Sequence, residues 1–178
     1  MTHAEIVFTL YAPDKPGIVK TVSDLVLGEG GSWLESSLTR LCGQFAGIVH
    51  VRVPAANRET LLEKLRDCAA QEIVITIHDE NFSHQESGQA AANQLRLLIE
   101  ANDREGIIDE IASALAARQI NVEKLTSSCE SASMAGYPLF RANLKVQLPE
   151  GVNAQELERI LESVSDDLMV SIKDGDGD

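Results

Sequence analysis

The sequence predicts an α+β fold built twice over, as two β-α-β-β-α-β units in tandem, and three observations predict it. A turn motif reads Asp14-Lys15-Pro16-Gly17-Ile18-Val19 in the first half and returns as Asp103-Arg104-Glu105-Gly106-Ile107-Ile108 in the second. In both copies an apolar run ends at the motif and a helical pattern begins at once, which marks a strand-to-helix corner. The segments that follow each corner come in the same order of strand, strand, helix and strand.

Each element can be justified in turn. Glu5 to Ala12 alternates and is rich in β-branched and aromatic residues, so it reads as a strand. Ile18, Val22, Leu25 and Val26 recur at helical spacing and form a stripe fit to lie on a sheet. Gly28, Gly30 and Gly31 end that helix. Trp33 to Leu41 is a second strand, Cys42-Gly43-Gln44 a hairpin connection, and Phe45 to Val53 a third strand stopped by Pro54. Leu61, Leu62, Leu65 and Cys68 share one helical face, and Glu72 to His78 closes the unit as a strand. In the second half Gln94 to Ala101 is a strand, and Ile107, Ile108, Ile111 and Leu115 stripe a helix. Asn121 to Ser128 and Leu139 to Leu148 are strands around a small-residue loop at Glu130 to Tyr137. Ala154 to Val164 is a helix and Leu168 to Ile172 the last strand. This order is the ferredoxin-like split βαβ arrangement, with each antiparallel sheet carrying both helices on one face. The expected boundaries are 1–80 for the first domain, 81–92 for a polar linker, 93–173 for the second domain and 174–178 for a disordered acidic tail.

Bulk properties narrow the partners. The chain has 178 residues, a formal net charge of −13 and only 4% aromatic residues. A surface this acidic repels phosphate backbones and anionic membranes, and along the sequence no Lys/Arg cluster offsets it. Few aromatics also argue against base-stacking platforms. No apolar run approaches a membrane span, and Met1-Thr2-His3-Ala4-Glu5 lacks the features of a signal peptide, so a cytoplasmic protein is expected. A unit of about 80 residues is marginal alone, so each is expected to pack on the other or on a second chain.

The corners carry the chemistry. Pro16 suits the first turn of a helix, where a missing N–H is harmless. Gly17 and Gly106 are expected to remove a side chain where helix, strand and ligand come closest. Free N–H groups at a helix N-terminus suit a carboxylate or other small anion. The plainer reading is a helix start packed tightly on a sheet. Elsewhere the signals are weak. His3, His50, His78 and His84 have no metal-ligand spacing, and Cys42, Cys68 and Cys129 form neither a CxxC site nor a disulfide framework. Gly28-Glu29-Gly30-Gly31 closes a helix and lacks the Lys-Ser/Thr of a phosphate loop. No Ser or Cys stands in a nucleophile context, so neither an enzyme nor a cofactor is expected.

A strand, Asp-Lys-Pro-Gly-Ile-Val, a helix, a Gly-rich turn and a second strand resemble the start of an ACT domain, a regulatory module known for binding amino acids. Both halves fit. The run Trp33-Leu34-Glu35-Ser36-Ser37-Leu38-Thr39-Arg40-Leu41-Cys42-Gly43-Gln44-Phe45-Ala46-Gly47-Ile48 further resembles the first domain of the glycine cleavage system transcriptional repressor family. The resemblance implies regulation by a ligand lying between two domains, beside the corner and the start of the second strand. By position it picks out Asp14, Lys15, Pro16, Gly17, Ile18, Ser32 and Trp33 in the first half. In the second it picks out Asp103, Arg104, Gly106, Ile107 and Asn121. Trp33 is placed opposite Asn121 if the second helix-to-strand turn is one residue shorter. On that alignment Asn121 makes the better amino-acid site, while Trp33 is either a ligand contact or an interface anchor. The implied protein is a homo-oligomer acting on a DNA-binding partner, not on DNA itself. The alternative is an interaction module whose ligand sites are vestigial.

Overall fold

A computed structural model describes residues 2–78, 94–131 and 138–173. The expected linker at 81–92, the tail at 174–178 and most of the 130–137 loop lie outside these residues. The chain divides into two compact units.

In the first unit β1 (His3–Pro13) leads through the corner into α1 (Ile18–Gly28), then β2 (Ser32–Leu41) and β3 (Gln44–Pro54). A short 3₁₀ turn precedes α2 (Arg58–Asp67), and β4 (Val74–His78) closes the unit. The sheet order is β2-β3-β1-β4, with every pairing antiparallel. Alternation along β1 sends Ile6, Phe8, Leu10 and Ala12 to one face, where Ile18, Val22 and Val26 of α1 and Leu61, Leu62 and Leu65 of α2 cover them. Each such large side chain contributes about 1.5–3 kcal/mol on burial. The helical stripes read from the sequence are therefore the core, with Leu25 only at its margin.

The second unit repeats this plan as β5 (Gln94–Asn102), α3 (Ile107–Ala116), β6 (Asn121–Ser131), β7 (Pro138–Gln147), α4 (Ala154–Glu162) and β8 (Met169–Lys173), in the order β6-β7-β5-β8. Leu97, Ile99 and Ala101 meet Ile107, Ile111, Leu115, Leu157 and Leu161 in its core. Glu130 and Ser131 continue β6 where a loop was expected. The two ferredoxin-like folds are thus present, each with its helices on one face of an antiparallel sheet.

Helix ends show how alike the units are. The chain leaves α1 through Gly30 at φ +69°, with the Gly31 N–H returning to the Val26 carbonyl at 2.8 Å. It leaves α3 through Gln119 at φ +56°, with the Ile120 N–H returning to the Leu115 carbonyl at 3.1 Å. Asn57 donates to the Glu29 carbonyl at 3.0 Å beyond the end of α1. Asn153 caps α4 by accepting from the Glu156 N–H at 2.9 Å.

Candidate functional site at the strand-to-helix corners

Both corner glycines are left-handed N-caps, Gly17 at φ +97° and Gly106 at φ +83°. A Cβ built at either would meet nothing within 4 Å. This corrects the sequence-based expectation of a close approach. Glycine is needed here for its backbone conformation, which an L-residue adopts only at a cost of about 1–2 kcal/mol. No side chain caps either helix, and the first intrahelical bond runs from the Thr21 N–H to Gly17 at 2.8 Å, or from the Glu110 N–H to Gly106 at 3.0 Å. The N–H groups of Ile18, Val19 and Lys20 precede that bond and are the ones a helix leaves for an external acceptor.

The corners are fastened alike. The Asp14 N–H donates to the Gly43 carbonyl and the Asp103 N–H to the Pro138 carbonyl, each at 2.9 Å. The Asp14 carboxylate takes Arg40 Nε at 2.7 Å, whereas Asp103 accepts from the Cys129 thiol at 3.3 Å. That hydrogen bond to a carboxylate, aided by burial, raises the Cys129 pKa above its ordinary value. Lys15 reaches the Gln71 carbonyl at 3.0 Å and Glu72 at 3.2 Å, just before β4. Its counterpart Arg104 turns back onto Glu110 in two bonds of 2.8 and 2.5 Å, with Asp167 at 3.9 Å just before β8. The Arg104 bond holds Glu110 below its ordinary pKa, and the Ser165 hydroxyl does the same for Asp167.

The two corners differ in what they leave open. At the first, a cavity of about 240 Å³ is lined by Asp14, Lys15, Gly17, Ile18, Val19, Lys20 and Phe45. Pro16 stands in the turn between them. The charged side chains of this cavity are already paired, Lys15 with Glu72, Lys20 with Asp24 at 2.6 Å and Asp14 with Arg40, and they line one small volume together with the start of the helix and the apolar Phe45. At the second, Asp109 and Glu110 lie in the first helical turn and Glu105 in the turn before it, an electrostatic setting less favourable to an anion. Ile107, like Ile18, is buried in the core beneath its helix.

Ser32, Trp33 and Asn121 are not at these corners. Within each unit β1 or β5 runs parallel to the next strand in sequence, so that strand starts at the far end of the sheet. Ser32 pairs with Arg52, a length of β3 away from Gly43, about 30 Å at roughly 3.3 Å per residue. Asn121 likewise pairs with Gln147. The register also corrects the expected alignment. Ser32 and Asn121 occupy the same position, and both strands then bulge, between Trp33 and Glu35 and between Val122 and Lys124. Trp33 therefore corresponds to Val122, and it packs half-buried against the first core. The assumed shorter turn does not occur because Gln119 accepts the left-handed conformation that Gly30 supplies in the first unit.

The reading from sequence missed Val19, Lys20 and Phe45 as cavity walls. Phe45 had only half a signal, since the Cys42-Gly43-Gln44 connection sets it opposite Arg40 while the separate pairing of β3 with β1 sets it beside Ala12. It also missed a convergence of cations. Arg96, Lys124, Lys145 and Lys173 line one cavity on the second sheet, contrary to the view that no basic cluster offsets the acidic charge. Among the described residues no group of three His, Cys, Asp or Glu side chains could hold a metal ion, and no helix is long and apolar enough to cross a membrane.

Residues 5–78, from the first strand to the last strand of the first unit, match the family model described as the ACT domain. The first unit is an ACT domain. The second repeats its topology and its corner. An unknown protein from Galdieria sulphuraria has the same fold, with a TM-score of 0.80 at 23% identity over 97% of this chain and 98% of that one. A candidate glycine cleavage system transcriptional repressor matches with a TM-score of 0.70 at 18% identity, again over 97% and 98% of the two chains. At these identities the likeness is one of fold across both units. No curated protein matches the sequence at a significant level.

Proposed function

We propose that this tandem ACT protein is a non-enzymatic cytoplasmic regulator that binds a small amino acid at its first corner and passes the result to a partner protein. The observation that carries the proposal is the cavity between Gly17, Lys15, Asp14 and Phe45. An amino-acid carboxylate would take the helix N–H groups with Lys15 or Lys20 beside it. The ammonium would sit against Asp14, and the side chain against Phe45 and Val19. About 240 Å³ falls below the usual range for drug-sized ligands, which suits glycine, alanine or serine better than a large amino acid. The second corner, with Glu105, Asp109 and Glu110 around its helix start, is the weaker site for a carboxylate. Of the residues drawn from the resemblance, Ser32, Trp33 and Asn121 lie outside this cavity.

The likeness of fold to a candidate glycine cleavage repressor directs the output toward control of glycine-cleavage genes, through a DNA-binding partner. Ligand binding shifts the protein only by the difference in affinity between its states. Exposed Tyr11, Ile48 and Val74 share the open face of the first sheet and support self-association into a homo-oligomer. A thermal-shift screen of the common amino acids tests the proposal. Stabilisation should rise with concentration as mass action requires, by about 2.7 kcal/mol at a hundredfold excess over Kd. Absence of any shift at millimolar ligand, with an intact oligomer by sedimentation, would favour the interaction-module reading.

A further inference from the structure

On the open face of the second sheet, each of the four strands contributes one cation at the same level. Arg96 of β5 pairs in register with Lys145 of β7 on one side and Lys173 of β8 on the other. Lys124 of β6 pairs with Lys145. The row therefore reads Lys124-Lys145-Arg96-Lys173 across the full width of the sheet. Its in-strand neighbours Leu97, Leu144 and Val146 point the other way, into the core.

Strands lie about 4.8 Å apart, so directly opposed like charges repel and destabilise the sheet that holds them. The chain has 15 Lys and Arg against 28 Asp and Glu, which makes the concentration of cations on this face costly and unrepresentative of the surface. The fold does not demand it. The corresponding row of the first sheet is Glu35-His50-Val7-His78, by the same register. Local neutralisation is partial, and Arg96 itself is not without a partner. Glu123 takes Lys145 at 3.0 Å while also accepting from Gln94, and Lys173 donates to the Asn143 amide oxygen at 3.0 Å. Lys124 has no hydrogen-bond or ion-pair partner among the described residues. Together with Thr126 and Asn143 the four cations line a cavity of about 420 Å³, within the range of small-molecule sites.

We infer that this face is a second ligand site, which takes a small molecule carrying two or more negative charges as phosphate or carboxylate groups. Arg96 supplies a planar fork matched to either group, and the lysines supply movable point charges around it. Thr126 and Asn143 add neutral hydrogen-bonding groups that a bare cationic patch would lack. The site is separate from the amino-acid site proposed at the first corner, so the protein would read two chemically distinct inputs.

Isothermal titration of the full chain with pyrophosphate and with citrate, at ionic strength held constant with sodium chloride, tests the inference. Saturable binding of at least one of them is expected. Lys124→Gln should weaken it by about tenfold, the worth of one charge-assisted hydrogen bond. Lys20→Gln, a cation of the other unit, and Asp14→Asn, which disables the corner, should leave it unchanged. Binding of pyrophosphate alone assigns phosphate chemistry, citrate alone assigns carboxylate chemistry, and both assign recognition by charge. Lys124→Gln should also raise the midpoint of thermal unfolding without ligand, since one repulsive neighbour is gone. Absence of binding by both probes, or equal weakening by Lys124→Gln and Lys20→Gln, overturns the inference.

Discussion

Substituting Gly17 tests why each corner carries a glycine. Gly17 sits at φ +97° and ψ −4°, beyond the ordinary left-handed region, and a Cβ there would meet no atom within 4 Å. Steric contact therefore contributes nothing to the effect of a side chain. What remains is the left-handed penalty of an L-residue, about 1–2 kcal/mol, reduced by the tenths of a kcal/mol that alanine recovers by restricting the unfolded chain. Gly17→Ala should thus destabilise the first unit by about 0.5–1.5 kcal/mol. Gly17→Asn should destabilise it less, because asparagine tolerates this region better than alanine despite its size. Trp33 is the chain's single tryptophan and packs half-buried on the first core, so its fluorescence follows unfolding of this unit in urea. With a urea dependence of about 1–1.5 kcal/mol per molar, the midpoint should fall by roughly 0.5–1 M for alanine and by less for asparagine. If asparagine proves worse than alanine, crowding and not backbone conformation governs the corner, and the reasoning fails.

Other consequences follow from single contacts. Leu65 is fully buried beneath the first sheet, so Leu65→Ala should cost about 2–5 kcal/mol, read by the same Trp33 transition. At neutral pH Cys42, exposed at the hairpin, should alkylate first, with Cys68 protected by burial and Cys129 slowed by its hydrogen bond to Asp103. Asp103→Asn should accelerate Cys129 alone, as mass spectrometry of iodoacetamide-treated protein would reveal. Glu110 has a folded pKa below its unfolded value, so its contribution to stability is present above about pH 4.3 and is lost as pH falls through the lower folded value. Glu110→Gln should therefore be less stable than the parent at pH 7, with the difference shrinking below about pH 4 in acid-series melts.

Most of the fold was legible because its signals are local. Alternation in β1 and the stripe Ile18, Val22, Val26 record which face is buried, and the repeated Asp-basic-X-Gly records the turn. Where a residue of another type took over a familiar role, the sequence misled. Gln119 adopts the conformation of Gly30, so the second turn looked short and Trp33 was set opposite Asn121. The candidate site was half legible for the same reason. Asp14, Lys15, Gly17 and Ile18 fall within five successive residues, whereas Phe45 arrives through the pairing of β3 with β1. The cation row was invisible along the chain because Arg96, Lys124, Lys145 and Lys173 come from four strands, joined only by the β6-β7-β5-β8 order. Ser32 and Asn121 begin their strands at the end of the sheet opposite the corner of their own unit.

The first corner is proposed as a receptor for a small amino acid. Calorimetric titration of the full chain with glycine, alanine and serine, repeated on Asp14→Asn, tests this most directly. Saturable heat with at least one of the three, abolished in Asp14→Asn while circular dichroism shows the fold intact, is the predicted result. Heats indistinguishable from dilution for all three, or binding that survives the loss of the Asp14 charge, would contradict it.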